Sequence, residues 1–290
     1  MNKSELLKEL RNITGASMKN CNDALIIANN NLRQAIDVLK IKGQVLLSER
    51  ESKSTSEGLI AVSYINNTKA GDAAAMVEVS CETNATSNSM KFRKFADDIL
   101  NHLIGNTISN TNFDINAPSI VDLRTDIIGQ TKENCIIQKW FVEQVFDDNC
   151  RVFTYIHNGS KLGSIISLKA PSVDVVHNDN FTNIGMNLAM QVAATNPLAV
   201  SIERIPYNIL QKQKDIFTAQ LKELNKPQNQ WDKIIDGKLN KWFNESCLMK
   251  QESIVVSKRS VEQLIKNEYA SLLGGELEII NFVRCQVGSI

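Results

Sequence analysis

The chain has 290 residues, 43% of them hydrophobic and 22% charged, which is length for two or three ordinary domains and apolar content for real cores. Lys plus Arg and Asp plus Glu both total 32, so there is no bulk positive field to drive nonspecific nucleic-acid binding, although a local basic patch stays open. No run approaches the roughly 18 consecutive apolar residues of a membrane span, and the opening MNKSELLKELRNIT has neither an h-region nor a small-residue cleavage site, so a cytoplasmic protein without a membrane partner is expected.

Residues 4–42 read as three short helices. Leu6, Leu7, Leu10 and Ile13 share one face, Thr14-Gly15-Ala16 turns the chain, and Met18, Cys21, Ala24, Leu25 and Ala28 form the next face. After Asn29-Asn30-Asn31, a third stripe of Leu32, Ala35, Ile36 and Leu39 is expected to stop at Gly43, which closes a helical domain over 1–43. A linker over 44–57 follows, polar through LSERESKSTSEG.

The body begins at 58. Gly58 to Ile65 alternates as a strand, Asn66 to Asp72 turns, and Ala73 to Cys81 places Ala75, Val77, Val79 and Cys81 on one face. A polar island, Glu82 to Ser89, leads into a helix with Phe92, Phe95, Ala96, Ile99 and Leu103 at helical spacing. Ser119 to Ile128 reads as a connecting helix and Cys135 to Phe146 as an added strand, which completes a first core subdomain over 58–145.

The plan then repeats. Tyr64 to Gly71 resembles Tyr155 to Gly163 apart from one inserted residue, and a return strand, a polar stretch and a helix with Phe181, Ile184, Leu188 and Val192 come after it. We infer a duplicated hairpin-plus-helix unit, the second over 146–290, and hence an α+β fold. Within it, 205–245 holds two amphipathic arms: Leu210, Phe217, Leu221 and Leu224, then Trp231, Ile235, Leu239 and Trp242, separated by a breaker containing Pro227. An antiparallel helical hairpin that projects as a small coiled coil is expected. Ser260 and Gln263 form a capping pair for a helix running to about Glu268, and Leu277 to Val287 makes the last strand.

Little in the chain suggests bond-making chemistry. There is no Gly-Lys-Ser/Thr phosphate loop and no Gly-x-Gly-x-x-Gly. Six cysteines, at 21, 81, 135, 150, 247 and 285, lack Cys-x-x-Cys or zinc-finger spacing and read as reduced core thiols; no metal or cofactor is expected. Without a secretory route, the Asn-x-Ser/Thr triplets at Asn12, Asn84, Asn158 and Asn244 carry no meaning as glycosylation acceptors. Of three histidines, His102 lies on the polar side of its helix and His177 in a polar connection. His157 sits at a hairpin tip, where it is either presented to a partner or a plain turn residue. A Cys150/His157 nucleophile pair can be drawn, with no base, orienter or oxyanion donors in evidence.

Leu6 to Gly43 resembles the ubiquitin-associated-like domain of elongation factor Ts, with Leu-Arg, Thr-Gly-Ala, Met, Cys, Ala-Leu and a final Gly in order. The resemblance extends through Val79-Ser80-Cys81-Glu82-Thr83, the Tyr155-x-His157 hairpin, Ala189 to Pro197, and Phe282 to Gly288. It implies a nucleotide-exchange factor, not an enzyme, whose partner is elongation factor Tu in its GDP-bound and nucleotide-free forms. Binding there weakens the hold on magnesium and GDP. The family's wedge loop reads Thr-Asp-Phe-Val; here it is Thr83, Asn84, Ala85 and Thr86, without the charge and the ring. His157 matches the hairpin histidine held to contact the partner. Extra residues interrupt the family's Ile-Gly-Glu-Asn at Ile128 to Asn134, and a further helix that some relatives carry beyond the position of Ile290 is expected to be missing. The alternatives are a protein of this fold that docks without promoting exchange and a Cys-dependent hydrolase; self-association of the body stays open.

Overall fold

The computed structural model describes residues 2–67, 71–109, 111–157, 159–224 and 227–289. The middle of the expected 66–72 turn, Asn158 of the second hairpin, and Asn225 and Lys226 of the breaker lie outside the described residues. The fold is α+β.

Three helices open the chain: α1 (Lys3–Thr14), α2 (Met18–Ile27) and α3 (Leu32–Arg50). Asn2 and Glu5 make a reciprocal capping box on α1, and Gly15 ends it with φ +63, a left-handed conformation that costs glycine least. Leu10, Cys21, Ala24, Leu25 and Ala35 bury together with Leu6, Leu7, Leu32, Ile36 and Leu39 around them. Ile13, expected on that core face, instead lines a cavity of about 140 Å³ in the seam between these helices and the body.

The expected stop at Gly43 does not occur, because α3 runs through it for seven more residues to Arg50 and takes up the start of the polar stretch. Its glycine serves approach. A Cβ at Gly43 would lie 2.6 Å from Thr125 Cγ2 and 3.0 Å from Thr125 O, so its absence lets α3 press onto α6 (Pro118–Thr131). Lys40 pairs with Asp122 across that seam at 3.0 Å, Gln130 Nε2 donates to Thr14 O at 2.9 Å, and Lys91 Nζ donates to Gly15 O at 3.1 Å.

The body holds two three-stranded antiparallel sheets of the same topology. In the first, β1 (Glu57–Asn67) and β2 (Gly71–Cys81) form a hairpin, and β3 (Ile136–Val145) pairs on the far side of β2. In the second, β4 (Cys150–Ile156) and β5 (Leu162–Lys169) form the hairpin, and β6 (Glu278–Gln286) pairs on the far side of β5. Each hairpin is followed by a covering helix. After a short α4 (Asn84–Ser87), α5 (Met90–Ile108) lays Phe92, Phe95, Ala96, Ile99 and Leu103 on Ala75, Val77, Val79 and Cys81, while α7 (Asp179–Thr195) lays Phe181, Ile184, Leu188 and Val192 on Phe153, Ile166 and Leu168.

The other faces of the two sheets meet each other. Ala74, Met76, Val145, Val152, Ile165 and Cys285 fill that middle layer, so β2 is buried on both sides rather than one. Glu78 sits within it, 1% exposed, and is satisfied by the Gly288 N–H at 2.9 Å and the Cys285 thiol at 3.3 Å. Between α7 and β6 the chain makes α8 (Tyr207–Glu223) and α9 (Trp231–Ser246), with Leu221 and Leu239 buried and a base of Ala199, Ile205 and Cys247. The Ser260/Gln263 box caps α10 (Val261–Gln263), which continues through a π-helical turn over Leu264–Tyr269 into α11 (Ala270–Leu273), past the expected end.

Candidate functional site

The polar island is an ordered loop. Leaving β2, the chain turns at Thr83, whose side chain caps α4 by accepting the Thr86 N–H at 3.3 Å. Within that single turn Ser87 Oγ donates to Asn84 O at 3.1 Å, and Asn88 Nδ2 donates to Asn84 O and Oδ1, both at 2.9 Å. Thr86 and Ser87 point inward and are buried, whereas Asn84 and Ala85 are exposed at the tip.

Two side chains from elsewhere hold the loop. Glu133 follows the C-terminal end of α6, where Lys132 takes φ +64 and swings the next residue back toward β2. Its carboxylate accepts three bonds from the loop: Thr83 N–H at 3.0 Å, Thr83 Oγ1 at 2.7 Å and Thr86 Oγ1 at 2.8 Å. The neighbouring Asn134 N–H donates to Glu82 Oε1 at 2.7 Å, and Arg50 pairs with the other oxygen of Glu82 at 3.5 Å. From the opposite side Lys161 Nζ donates to Glu57 Oε2 at 2.7 Å, Gly58 O at 2.8 Å and Ser87 Oγ at 3.3 Å. Burial, with the Glu133 charge behind it, pushes the Cys81 thiol at the end of β2 up to about 12, so it is neutral at the base of the loop.

His157 stands exposed at the end of β4, its N–H on Leu162 O at 2.9 Å and its Nδ1 3.1 Å from Tyr155 Oη. Three residues on, Ser160 O accepts the Ile60 N–H at 2.7 Å, which pins the tip of this hairpin onto β1 of the other unit. Lys161 then joins His157 to the loop, since it belongs to the same turn and reaches Ser87. The hairpin turn that follows His157 and the loop that carries Thr83, Asn84, Ala85 and Thr86 are therefore linked through Lys161 and Ser87. Sequence reasoning missed Glu133 and Lys161. Glu133 lies in the segment flagged for its extra residues, but its contacts are with residues 47 and 50 positions away, a separation at which no periodicity carries information.

The other candidates do not assemble. Cys150 opens β4 and His157 follows its last residue, so the two lie about 23 Å apart at about 3.3 Å per residue. All six cysteines are buried, and burial raises each thiol; Cys135 and Cys285 also reach about 12. His102 is half-buried on α5, and His177 lines a concavity with Tyr64, Asp72 and Arg151 in which Asp72 is occupied by the Val152 N–H at 2.7 Å and the Tyr64 hydroxyl. Among the described residues no group of three His, Cys, Asp or Glu side chains is placed to hold a metal ion, and no helix is long and apolar enough to cross a membrane.

The arrangement is an exposed tip of two small side chains, Asn84 and Ala85, on a hydrogen-bonded base. Residues 82–289 match the family described as elongation factor TS. The chain is similar to the elongation factor Ts of Lawsonia intracellularis, at 32% identity over 98% of this chain and 98% of the relative. It is similar to that of Aquifex aeolicus at 30% identity, over 99% of this chain and 98% of the relative, and to that of Nitratiruptor sp. at 31%, over 97% and 92%.

Proposed function

The chain belongs to the elongation factor Ts family, and on that premise we propose that it docks on elongation factor Tu in the cytoplasm and speeds the departure of bound GDP, so that GTP can enter. No covalent bond is made or broken in this process. The work is negative coupling between two binding equilibria: whatever factor lowers the partner's hold on GDP must, by linkage, lower GDP-bound partner's hold on the chain by the same ratio. The loop of Thr83, Asn84, Ala85 and Thr86 meets the partner near its magnesium and phosphate site, and His157 makes a second contact from the adjacent hairpin.

The observation that carries this reading is the outward tip. Asn84 and Ala85 are exposed while the threonines on either side are tied down, so the loop presents two small side chains at the position of the family's acidic and aromatic pair. A buried aromatic anchor is worth about 2 kcal/mol or more, and about 1.4 kcal/mol is tenfold in rate or affinity. The same absence of charge and ring favours a second reading, a chain that docks without efficient exchange.

Elongation factor Tu loaded with a fluorescent GDP separates the two. Micromolar chain accelerates release of the label in the first reading. Co-elution on gel filtration with an unchanged release rate establishes the second.

A further inference from the structure

We propose that Glu133 is the positioning residue of the loop: it acts through Thr83 and Thr86 to set the tip for dislodging the nucleotide. The proposal rests on the exchange reading above. A single helical turn of four residues does not hold itself in water, because nucleation fixes several dihedrals for one hydrogen bond. The turn over Asn84–Ser87 is held from outside, and its largest external support is one carboxylate. Glu133 takes the Thr83 N–H, the Thr83 hydroxyl and the Thr86 hydroxyl at 3.0, 2.7 and 2.8 Å. Asn84 and Ala85 are thus strung between two residues fixed to the same group.

Glu133 is itself well placed to hold a reference position. The Thr131 hydroxyl accepts its N–H at 3.3 Å, and Asn134 is stitched to Glu82 and, through Nδ2, to Lys53 O at 2.9 Å. The same end of α6 carries Gln130, which holds the Thr14 carbonyl of the N-terminal helices. One short segment therefore sets the distance between that unit and the tip. Helix α6 runs to Thr131, and the left-handed Lys132 brings the carboxylate of Glu133 around toward the loop.

Because Glu133 is half-buried beneath the loop rather than at its tip, its loss is expected to affect the step in which the tip displaces nucleotide more than the encounter. Glu133→Gln keeps the size but sets an amide nitrogen against donors that need acceptors. At saturating chain, its maximal rate of fluorescent-GDP release from elongation factor Tu is expected to fall about tenfold, with the half-saturating concentration within about twofold of native. In the free protein, amide exchange at Thr83 and Thr86 is expected to rise about tenfold, with β2 and α5 amides unchanged. Thr86→Val, which removes one of the three bonds at nearly constant shape, gives the same split in smaller measure and serves if Glu133→Gln fails to fold. Rate and half-saturation changing in equal proportion, or loop amides unaffected, overturn the proposal. If the native chain itself releases no GDP, the exchange reading has failed, and loop amides still protected in Glu133→Gln overturn the positioning role independently.

Discussion

Asn84 and Ala85 are exposed at the tip, while Thr86 and Ser87 after them turn inward. Thr83 and Thr86 give their hydroxyls to Glu133, and Ser87 takes a bond from Lys161, so the backbone of the tip is fixed although its side chains are small. Sequence reading located this tip, on the strength of the Cys81-Glu82-Thr83 run, and left its supports unseen. The cysteines behave as small apolar side chains throughout. Burial holds Cys81, Cys135 and Cys285 protonated to about 12, from an ordinary value of 9.0. Between those values the unfolded chain has lost protons that the native chain still binds, so stability must fall as pH rises through this window. Urea midpoints are expected to hold level near neutrality and to drop steadily above pH 9, and a thiol probe at pH 8 is expected to label the native chain far more slowly than the denatured one. A midpoint rising above pH 9, or rapid labelling of one thiol, contradicts this account of the thiols.

The elements show where periodicity is a sufficient guide and where it is not. The facing stripes of α5 and α7 and the capping box at Ser260 were legible because they are local patterns. The overrun of α3 was not, because glycine near the end of an apolar stripe looks like a stop, and only the approach of Thr125 explains its use here. Likewise β2 showed its α5-facing residues by alternation, while burial of its second face depends on a sheet built from residues after 150. Gly43→Ala weighs two effects directly. Helix propensity favours alanine by about 1 kcal/mol, but a Cβ 2.6 Å from Thr125 Cγ2 and 3.0 Å from its carbonyl must push the helices apart, which typically costs about 1–3 kcal/mol. The clash should win. A lowered denaturation midpoint is the expected result, and Thr125→Ser in the same background should recover part of it; a midpoint equal to or above native would show that α3 and α6 yield without cost.

In the molecule as a whole, the repeated sheet-and-helix units are joined face to face, the second hairpin docks on β1 through Ser160, and the N-terminal helices are held by the end of α6. This construction carries the Thr83 to Thr86 loop and the His157 hairpin on one hydrogen-bonded body, and in the exchange reading proposed above both surfaces face the partner. In that reading the loop, with Asn84 and Ala85 at its tip, is the element that drives nucleotide out. The measurement closest to that claim is the saturation curve of fluorescent-GDP release from elongation factor Tu, recorded with the native chain and with the double substitution Asn84→Asp plus Ala85→Phe. Restoring charge and ring is predicted to raise the maximal rate by about tenfold at unchanged half-saturation. Identical curves for the two chains would contradict it and move the work of exchange elsewhere on the surface.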